Sequence, residues 1–236
     1  MKKLTIVARY NEDISWSKDL ESDIFVYNKG ADWPWEKAPR IDIENYGRES
    51  ETYVRSIIEC YHLLDQYDYF VFMQGNPYDH VSDPVKSINN YTSDEIFSLA
   101  NSMVKYKLPD EKKYFNFETF TICKLFRKEF APHARIELLN GEIDEKDNRG
   151  IEITTAVFFA QMLGIDLSER DITYAAGAQY IVPTSYIKTK SLDWWTEFYS
   201  LIQDWKFLNP GDDVGAYCER MWLAIWKLTP ILGQKN

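Results

Sequence analysis

Cysteine, basic residues and long apolar runs are all scarce in this sequence. Its three cysteines lie far apart and lack the paired spacing of metal ligands, which disfavours both a disulfide scaffold and a structural zinc site. The 27 basic residues are outnumbered by 37 acidic ones, and the formal charge of −10 disfavours nucleic acid and anionic lipid as partners. No run reaches the roughly 18 apolar residues that a transmembrane helix needs. The apolar run at residues 4–8 is too short for a secretory signal, so we expect a cytoplasmic protein.

Apolar and aromatic residues are plentiful. They make up 45% and 16% of the 236 residues, a composition that argues against intrinsic disorder. A single α/β domain commonly has roughly 200 to 250 residues. We therefore predict one domain over residues 1–236.

Three short apolar runs alternate with a helical pattern in the first third of the chain. Residues 4–8, 23–28 and 67–73 are rich in β-branched and aromatic side chains, as is typical of strands buried on both faces. Residues 48–64 carry one apolar stripe at helical spacing. This alternation predicts an α/β fold, with a mainly parallel sheet flanked by helices and a ligand beyond the carboxyl ends of the strands.

The rest of the chain has weaker patterns. Residues 94–103 and 151–163 favour helices, and residues 173–183 favour a strand whose small residues allow a close approach to its backbone. Residues 194–205 and 214–226 predict two aromatic-rich helices.

Side chains suited to a nucleotide follow the first two predicted strands and open the first long helix. An aromatic ring can stack on a nucleobase, amides and carboxylates can bind the base or ribose, and cations near a helix N-terminus can face a diphosphate. The alternative is a set of solvated loops with helix-capping residues and ion-paired surface cations. The candidates are Arg9, Tyr10, Asn11, Glu12, Lys29 and Arg48.

The third predicted strand ends in Gln74, and Asp79 and His80 follow shortly after it. A carboxylate beside an imidazole suits a divalent metal or a sugar hydroxyl. Two ligands are too few to specify a metal site. The alternative is that Asp79 caps the next turn and His80 is exposed.

Two late segments complete the set of candidates. Gly177 and Gln179 combine a small-residue floor with an amide, which suits a sugar or pyrophosphate but equally suits tight strand packing. Glu219 lies among aromatic residues on the last predicted helix, where a carboxylate with a raised pKa could act as a general base. A helical carboxylate that simply faces solvent is the alternative.

Taken in order, these clusters resemble a poorly characterised domain family of bacteria, fungi and viruses that is placed near the glycosyltransferases of the A-type fold. The resemblance extends over most of residues 4–226. The segments that carry it are residues 7–16, 26–30, 45–53, 71–80, 177–180 and 219–222.

The resemblance implies a glycosyltransferase of polysaccharide biosynthesis that moves a sugar from a nucleotide-diphosphate donor to a glycan or surface-polysaccharide acceptor. Residues 1–90 would form the nucleotide-binding half and residues 170–236 the acceptor side. A divalent cation, Mn²⁺ or Mg²⁺, would bridge protein and diphosphate. The implied roles are nucleotide binding by Arg9, Tyr10, Asn11 and Glu12, diphosphate binding by Lys29 and Arg48, donor contacts by Gln74, Gly177 and Gln179, metal or donor-sugar contacts by Asp79 and His80, and general-base catalysis by Glu219.

One departure from the A-type pattern bears on the metal. The Asp-x-Asp expected after the strand near the phosphates is replaced by Met-Gln-Gly-Asn at residues 73–76. Metal dependence is therefore left open by the sequence. A non-catalytic carbohydrate-binding or assembly protein that retains the fold is the main alternative. A glycoside hydrolase would need two carboxylates across the scissile bond, and no such pair stands out.

Overall fold

The structure is a computed structural model. It describes residues 1–34, 38–101, 103–106, 162–165, 172–208 and 213–227. The helix predicted over 151–163 lies almost wholly outside the described residues. No helix among the described residues combines the length and the apolar character needed to cross a bilayer.

A six-stranded, mostly parallel sheet forms the centre of the fold and confirms the predicted α/β class. Its strands, in spatial order, are β3 (Arg40–Asp42), β2 (Asp23–Asn28), β1 (Lys3–Arg9), β4 (Tyr69–Gln74), β8 (Tyr180–Pro183) and β5 (Phe97–Ser98). Strand β1 runs parallel to β2 and β4, and β3 runs parallel to β2. Strand β8 is antiparallel to both β4 and β5. Strands β6 (Met103–Tyr106) and β7 (Ile172–Ala175) pair in a separate two-stranded sheet.

The chain order reverses beside β1. Strands β2 and β3 lie on one side of β1, and β4 lies on the other. In the register, Arg9 is opposite Asn28 and Ala8 is opposite Gln74, so three parallel strands end at one edge. The connecting loops diverge at such a reversal, and the crevice between them is where open α/β sheets bind ligands.

Five α-helices and two short 3₁₀ helices surround the sheet within the described residues. The pattern predicted over 48–64 becomes α1 followed by a 3₁₀ turn, and the predictions at 194–205 and 214–226 are confirmed by α4 and α5. The helices are α1 (Arg48–Glu59), α2 (Pro84–Asn90), α3 (Thr184–Lys188), α4 (Leu192–Leu208) and α5 (Val214–Lys227), with 3₁₀ helices at Ser15–Asp19 and Tyr61–Leu63.

Two predictions from the weaker patterns are wrong. The helix predicted over 94–103 is absent from the described residues there, because Phe97–Ser98 instead pairs with β8 as an edge strand. The single strand predicted over 173–183 is two strands, β7 and β8, which belong to different sheets. A turn at Gly177, whose φ is +86°, separates them.

Alternating side chains of the strands fill two apolar layers. Ile6, Phe70 and Phe72 belong to the layer beneath α1, α4 and α5. Val71 and Met73 belong to the opposite layer, which α2 and the first 3₁₀ helix cover. The tryptophans of α4 and α5 are buried in the first layer, so they form core instead of an exposed sugar-binding surface.

Candidate functional site

A cleft of about 300 Å³ lies where β1, β2 and β4 end and α1 begins. It therefore lies at the reversal in strand order, beyond the carboxyl ends of the strands, where the sequence analysis expected a ligand. Seven of the predicted site residues line it, together with three polar residues that the sequence analysis did not select. The predicted residues are Arg9, Tyr10, Glu12, Lys29, Arg48, Gln74 and Asp79, and the additional ones are Asn45, Glu49 and Asn76.

The Lys29 ammonium lies beneath the start of α1, where two hydrogen bonds and one ion pair hold it inside the protein. Its Nζ is 2.9 Å from a Glu51 carboxylate oxygen and donates to the carbonyl oxygens of Tyr46 and Arg48 at 2.6 and 2.5 Å. Burial lowers the pKa of Lys29, and the Glu51 carboxylate opposes that shift. An ammonium has three protons and Lys29 has three partners inside the protein, so it shapes the backbone of the cleft instead of binding a diphosphate.

Arg9 also stabilises the loops around the cleft. Its guanidinium donates to the carbonyl oxygens of Tyr10, Glu12 and Ala31 and to Asn28 Oδ1, and it lies 5.0 Å from the centre of the Trp33 ring. These contacts join the loop after β1 to the loop after β2. Asn11 reinforces the junction, since its Oδ1 accepts a hydrogen bond from the Ala31 N–H, so both residues position the loops.

Tyr10 and Arg48 are exposed residues of the cleft. Tyr10 is 50% exposed, and the Arg48 side chain is 62% exposed and 2.5 Å from an Asp213 carboxylate oxygen. Helix α1 begins at Gly47 and Arg48, both with left-handed φ, and no side chain caps it. Its first N–H groups and the partial positive charge of the helix end therefore favour an anion in the cleft.

Glu49 is a cleft residue that sequence reasoning missed, because a glutamate beside an arginine at a helix start looks like a surface ion-pair partner. It is 9% exposed. Burial raises its pKa to about 7, and the negative charge of Glu219 adds to the shift while Arg48 opposes it. It lies among the buried residues of α1, and that burial is visible only in the structure.

Glu219 lies behind the cleft and is not one of its lining residues. It is 5% exposed, its Oε1 accepts a hydrogen bond from the Gly177 N–H at 2.9 Å, and its Oε2 is 2.8 Å from the Arg220 guanidinium. Both oxygens thus have partners inside the protein. The predicted base is an internally bonded carboxylate that helps to hold the turn before β8.

Gly177 and Gln179 also lie outside the lining of the cleft. A side chain on Gly177 would place its Cβ 2.3 Å from His80 Cδ2, so this glycine permits the close packing of the two loops. Gln179 is fully buried and donates from Nε2 to the Pro77 carbonyl oxygen at 3.4 Å. These residues fasten the loop after β4 to the β7–β8 turn, which fits the packing alternative.

The predicted metal residues separate in the structure. Asp79 lines the cleft, whereas His80 packs against Gly177. Among the residues that the structure describes, no three or more histidine, cysteine, aspartate or glutamate side chains are grouped to hold a metal ion. Mg²⁺ and Mn²⁺ bound with a diphosphate often take only one or two protein carboxylates. Asp79 fits that limited role. The described residues do not form an all-protein metal cage.

Comparison with known proteins gives a family match. The model of the family described as "Protein of unknown function (DUF3431)" matches residues 4–235, which include every residue of the cleft. No curated protein and no solved structure matches the chain. The family description names no glycosyltransferase, so the likeness to the A-type enzymes stays a prediction, and function must be argued from the cleft itself.

Proposed function

Since the chain belongs to the DUF3431 family, whose description assigns no activity, we propose its function from the cleft: it is a glycosyltransferase that binds a nucleoside-diphosphate sugar. The sugar passes to a hydroxyl group of a glycan acceptor. The observation that carries the proposal is the convergence, at the reversal in strand order, of an aromatic ring, an exposed arginine and an uncapped helix start. Nucleotides bind at this position in open α/β sheets.

The charge and shape of the cleft suit each part of a nucleoside-diphosphate sugar. The start of α1 and the Arg48 guanidinium attract the diphosphate, since a helix N-terminus and an arginine both favour phosphate oxygens. The half-exposed Tyr10 ring suits stacking on the base. The amides of Asn45, Gln74 and Asn76 suit ribose and sugar hydroxyls. Arg9 and Lys29 hold the loops that carry these groups.

A divalent cation would assist the binding of the donor diphosphate. Asp79 would hold it together with the diphosphate oxygens, and the ion would neutralise charge on the leaving group. The residues of this chain do the rest: Arg48 and the α1 N-terminus also stabilise that charge. Activity in excess chelator should therefore fall without vanishing, and equal activity with chelator and with Mn²⁺ would remove Asp79 from a metal role.

Non-catalytic binding of the same donor is the second candidate function. One observation favours it: Glu219, the base expected from the resemblance, has both oxygens engaged by internal partners. The two functions make different predictions. A transferase releases nucleoside diphosphate from a sugar nucleotide, whereas a binding protein holds the donor intact.

Calorimetry with uridine and guanosine diphosphates tests the binding step. The Arg48→Ala variant should bind about ten- to a hundredfold more weakly, since a hydrogen bond to a charged group contributes about 1.5–3 kcal/mol. Arg40→Ala is the matched control, because Arg40 pairs with Asp32 and Asp42 and is absent from the cleft lining. Unchanged affinity in Arg48→Ala would contradict the placement of the diphosphate.

Turnover is tested separately by incubating the protein with a panel of sugar nucleotides and measuring released nucleoside diphosphate. Release that depends on an added glycan supports transfer. Binding without release in the whole panel would favour the non-catalytic function. No binding of either diphosphate would reject both.

A further inference from the structure

Two glutamates from different helices lie close enough to interact electrostatically, one in the lining of the cleft and the other behind it. Glu49, in the first turn of α1, lines the cleft, and Glu219 of α5 lies buried behind it. The Tyr53 hydroxyl is buried close to them and has no hydrogen-bond partner among the described residues, and both carboxylates help to raise the pKa of its phenol. The two carboxylates and this hydroxyl form what we call the buried acid cluster.

The charged groups around the cluster distinguish its two carboxylates. Glu219 has an arginine, Arg220, on one oxygen and the Gly177 N–H on the other, and both partners stabilise a negative charge. Glu49 has its own backbone N–H, and the nearby Arg48 guanidinium is shared with Asp213. Burial raises the pKa of Glu49, and the nearby Glu219 charge adds to that shift. The proton of the cluster therefore belongs on Glu49.

The position of Glu49 in the cleft also favours it over Glu219 as the group that accepts a proton. Glu49 follows Arg48 in sequence, and both line the cleft at the start of α1, where the diphosphate is proposed to bind. In a front-face displacement the acceptor hydroxyl approaches the anomeric carbon on the same side as the departing diphosphate, so a base beside that diphosphate can reach the hydroxyl. Glu219 is not in the lining, and its oxygens are occupied.

We propose that Glu49 is the catalytic base of the cleft and that Glu219 tunes it; the proposal rests on the transferase function above. The acceptor hydroxyl gives its proton to a Glu49 carboxylate oxygen while the acceptor oxygen bonds to the anomeric carbon. The bond from that carbon to the diphosphate oxygen breaks, and its electron pair leaves with the nucleoside diphosphate. Glu49 then returns the proton to water.

The chemistry of Glu49 suits this step. A base works best when its pKa is near the working pH, and burial beside Glu219 brings Glu49 to about 7. Among the described residues, the other titratable groups that interact with it electrostatically are Arg48, Asp213, Lys29, Tyr53, Tyr180 and Cys218. Burial is the largest cause of the pKa shift of Glu49.

The test compares Glu49→Gln, Glu219→Gln and Glu21→Gln for nucleoside-diphosphate release across pH 5 to 9. Glu49→Gln should lower the rate about 10²- to 10⁴-fold and abolish the rise in rate near pH 7, with donor affinity retained. Glu219→Gln removes the repulsion and should move that rise to lower pH. Glu21, exposed just before β2 at the opposite edge of the sheet, is the control and should behave as wild type.

The outcomes separate this proposal from the transferase function. A wild-type protein that releases no nucleoside diphosphate refutes the transferase function. A wild-type protein that releases it, together with a fully active Glu49→Gln, refutes only the base assignment. If Glu49→Gln fails to fold, Glu49→Asp supplies the activity measurement, and a carbon NMR titration of the glutamate carboxyls in the wild-type protein supplies a second readout. A buried carboxyl titrating near pH 7 supports the proposal, and glutamates that all titrate below pH 5 overturn it.

Discussion

Individual residues at the cleft divide into those that hold the loops and those that remain open to a ligand. Lys29 belongs to the first group: it is buried and bonded to Glu51 and to two carbonyl oxygens. Arg48 belongs to the second group, with a side chain that is 62% exposed. Substitution of Lys29 is therefore expected to lower the stability of the protein, whereas substitution of Arg48 is expected to weaken ligand binding.

Lys29→Met should destabilise the protein by about 3 kcal/mol, because it leaves Glu51 buried without its lysine. Arg55 remains 2.8 Å from the other Glu51 oxygen, so the loss should lie at the low end of the range for broken buried pairs. Urea unfolding measures it. Lys188→Met is the control: its partner Asp65 is 91% exposed, and the loss should be below about 1 kcal/mol. Equal losses in the two variants would contradict the structural role of Lys29.

Asp213→Asn should strengthen diphosphate binding. Asp213 competes with a bound phosphate for the Arg48 guanidinium, and its removal also lowers the negative charge at the cleft. We expect a two- to tenfold gain in affinity, about 0.5–1.4 kcal/mol, as is typical of a partly exposed ion pair. Calorimetry with the same nucleotide panel as for Arg48→Ala measures the gain. Weaker binding by this variant would show that Asp213 positions Arg48 instead of competing for it.

At the scale of elements, the cleft depends on how closely α5 approaches the start of α1. A side chain at Gly215 in the first turn of α5 would place its Cβ 2.8 Å from the Gly47 carbonyl oxygen and 3.0 Å from Arg48 Cβ. Ser50 Oγ of α1 donates to the Gly215 carbonyl oxygen, and Trp222 Nε1 of α5 donates to Ser50 Oγ. Helix α5 therefore positions the left-handed residues that begin α1.

The Gly215→Ala substitution has two opposing effects on stability, a gain in helix propensity and a clash with the start of α1. Alanine gains about 1 kcal/mol over glycine in a helix, but pressing a methyl group against a backbone oxygen costs about 1–3 kcal/mol. We expect net destabilisation together with weaker diphosphate binding, since α1 would move. Thermal unfolding and calorimetry on the same sample measure both. A higher melting temperature with unchanged affinity would show that the helices separate easily at this point.

At the scale of the whole molecule, the buried acid cluster links stability to pH. The pKa of Glu49 rises from 4.5 to about 7 on folding, so between these values the folded protein binds a proton that the unfolded chain has released. Stability that is present below about pH 4.5 is then lost as the pH rises towards 7. The cost reaches about 1.4 kcal/mol per pH unit within that window.

Glu49→Gln should remove this dependence. Urea unfolding of the wild-type protein and the variant at pH 5, 6 and 7 should show the variant gaining relative stability at each step, by about 3 kcal/mol or less in total. Glu21→Gln again serves as the control. Parallel pH profiles for wild type and Glu49→Gln would mean that Glu49 is ionised at neutral pH in the folded protein.

The single domain expected for residues 1–236 stays a prediction with a direct test. One domain should unfold in one step, so tryptophan fluorescence and far-ultraviolet circular dichroism should give coincident urea transitions. Tryptophan fluorescence reports on both sides of the sheet, because Trp16 lies in one apolar layer and Trp222 lies in the other. Two separated transitions would instead indicate independently folding halves.

The strands and helices with strong local patterns were predictable. Strands β1, β2 and β4 are continuous apolar runs, and α4 and α5 carry aromatic residues at helical spacing, so burial and local preference agree. The helix expected over 94–103 failed because backbone pairing of Phe97–Ser98 with β8 is a long-range contact. Local propensity contains no information on such a partner.

By itself, the sequence determined the α/β class, the parallel strands and the edge of the sheet where polar side chains gather, since these follow from burial periodicity and chain order. Only the tertiary structure decided which of those side chains are open to a ligand. Lys29 and Glu219 are held by partners 22 and 42 residues away, Glu51 and Gly177, whereas Glu49 is brought to the cleft and buried beside Glu219. Hydrogen bonding and desolvation between segments set the charge and availability of a group, and neither is written in its local sequence.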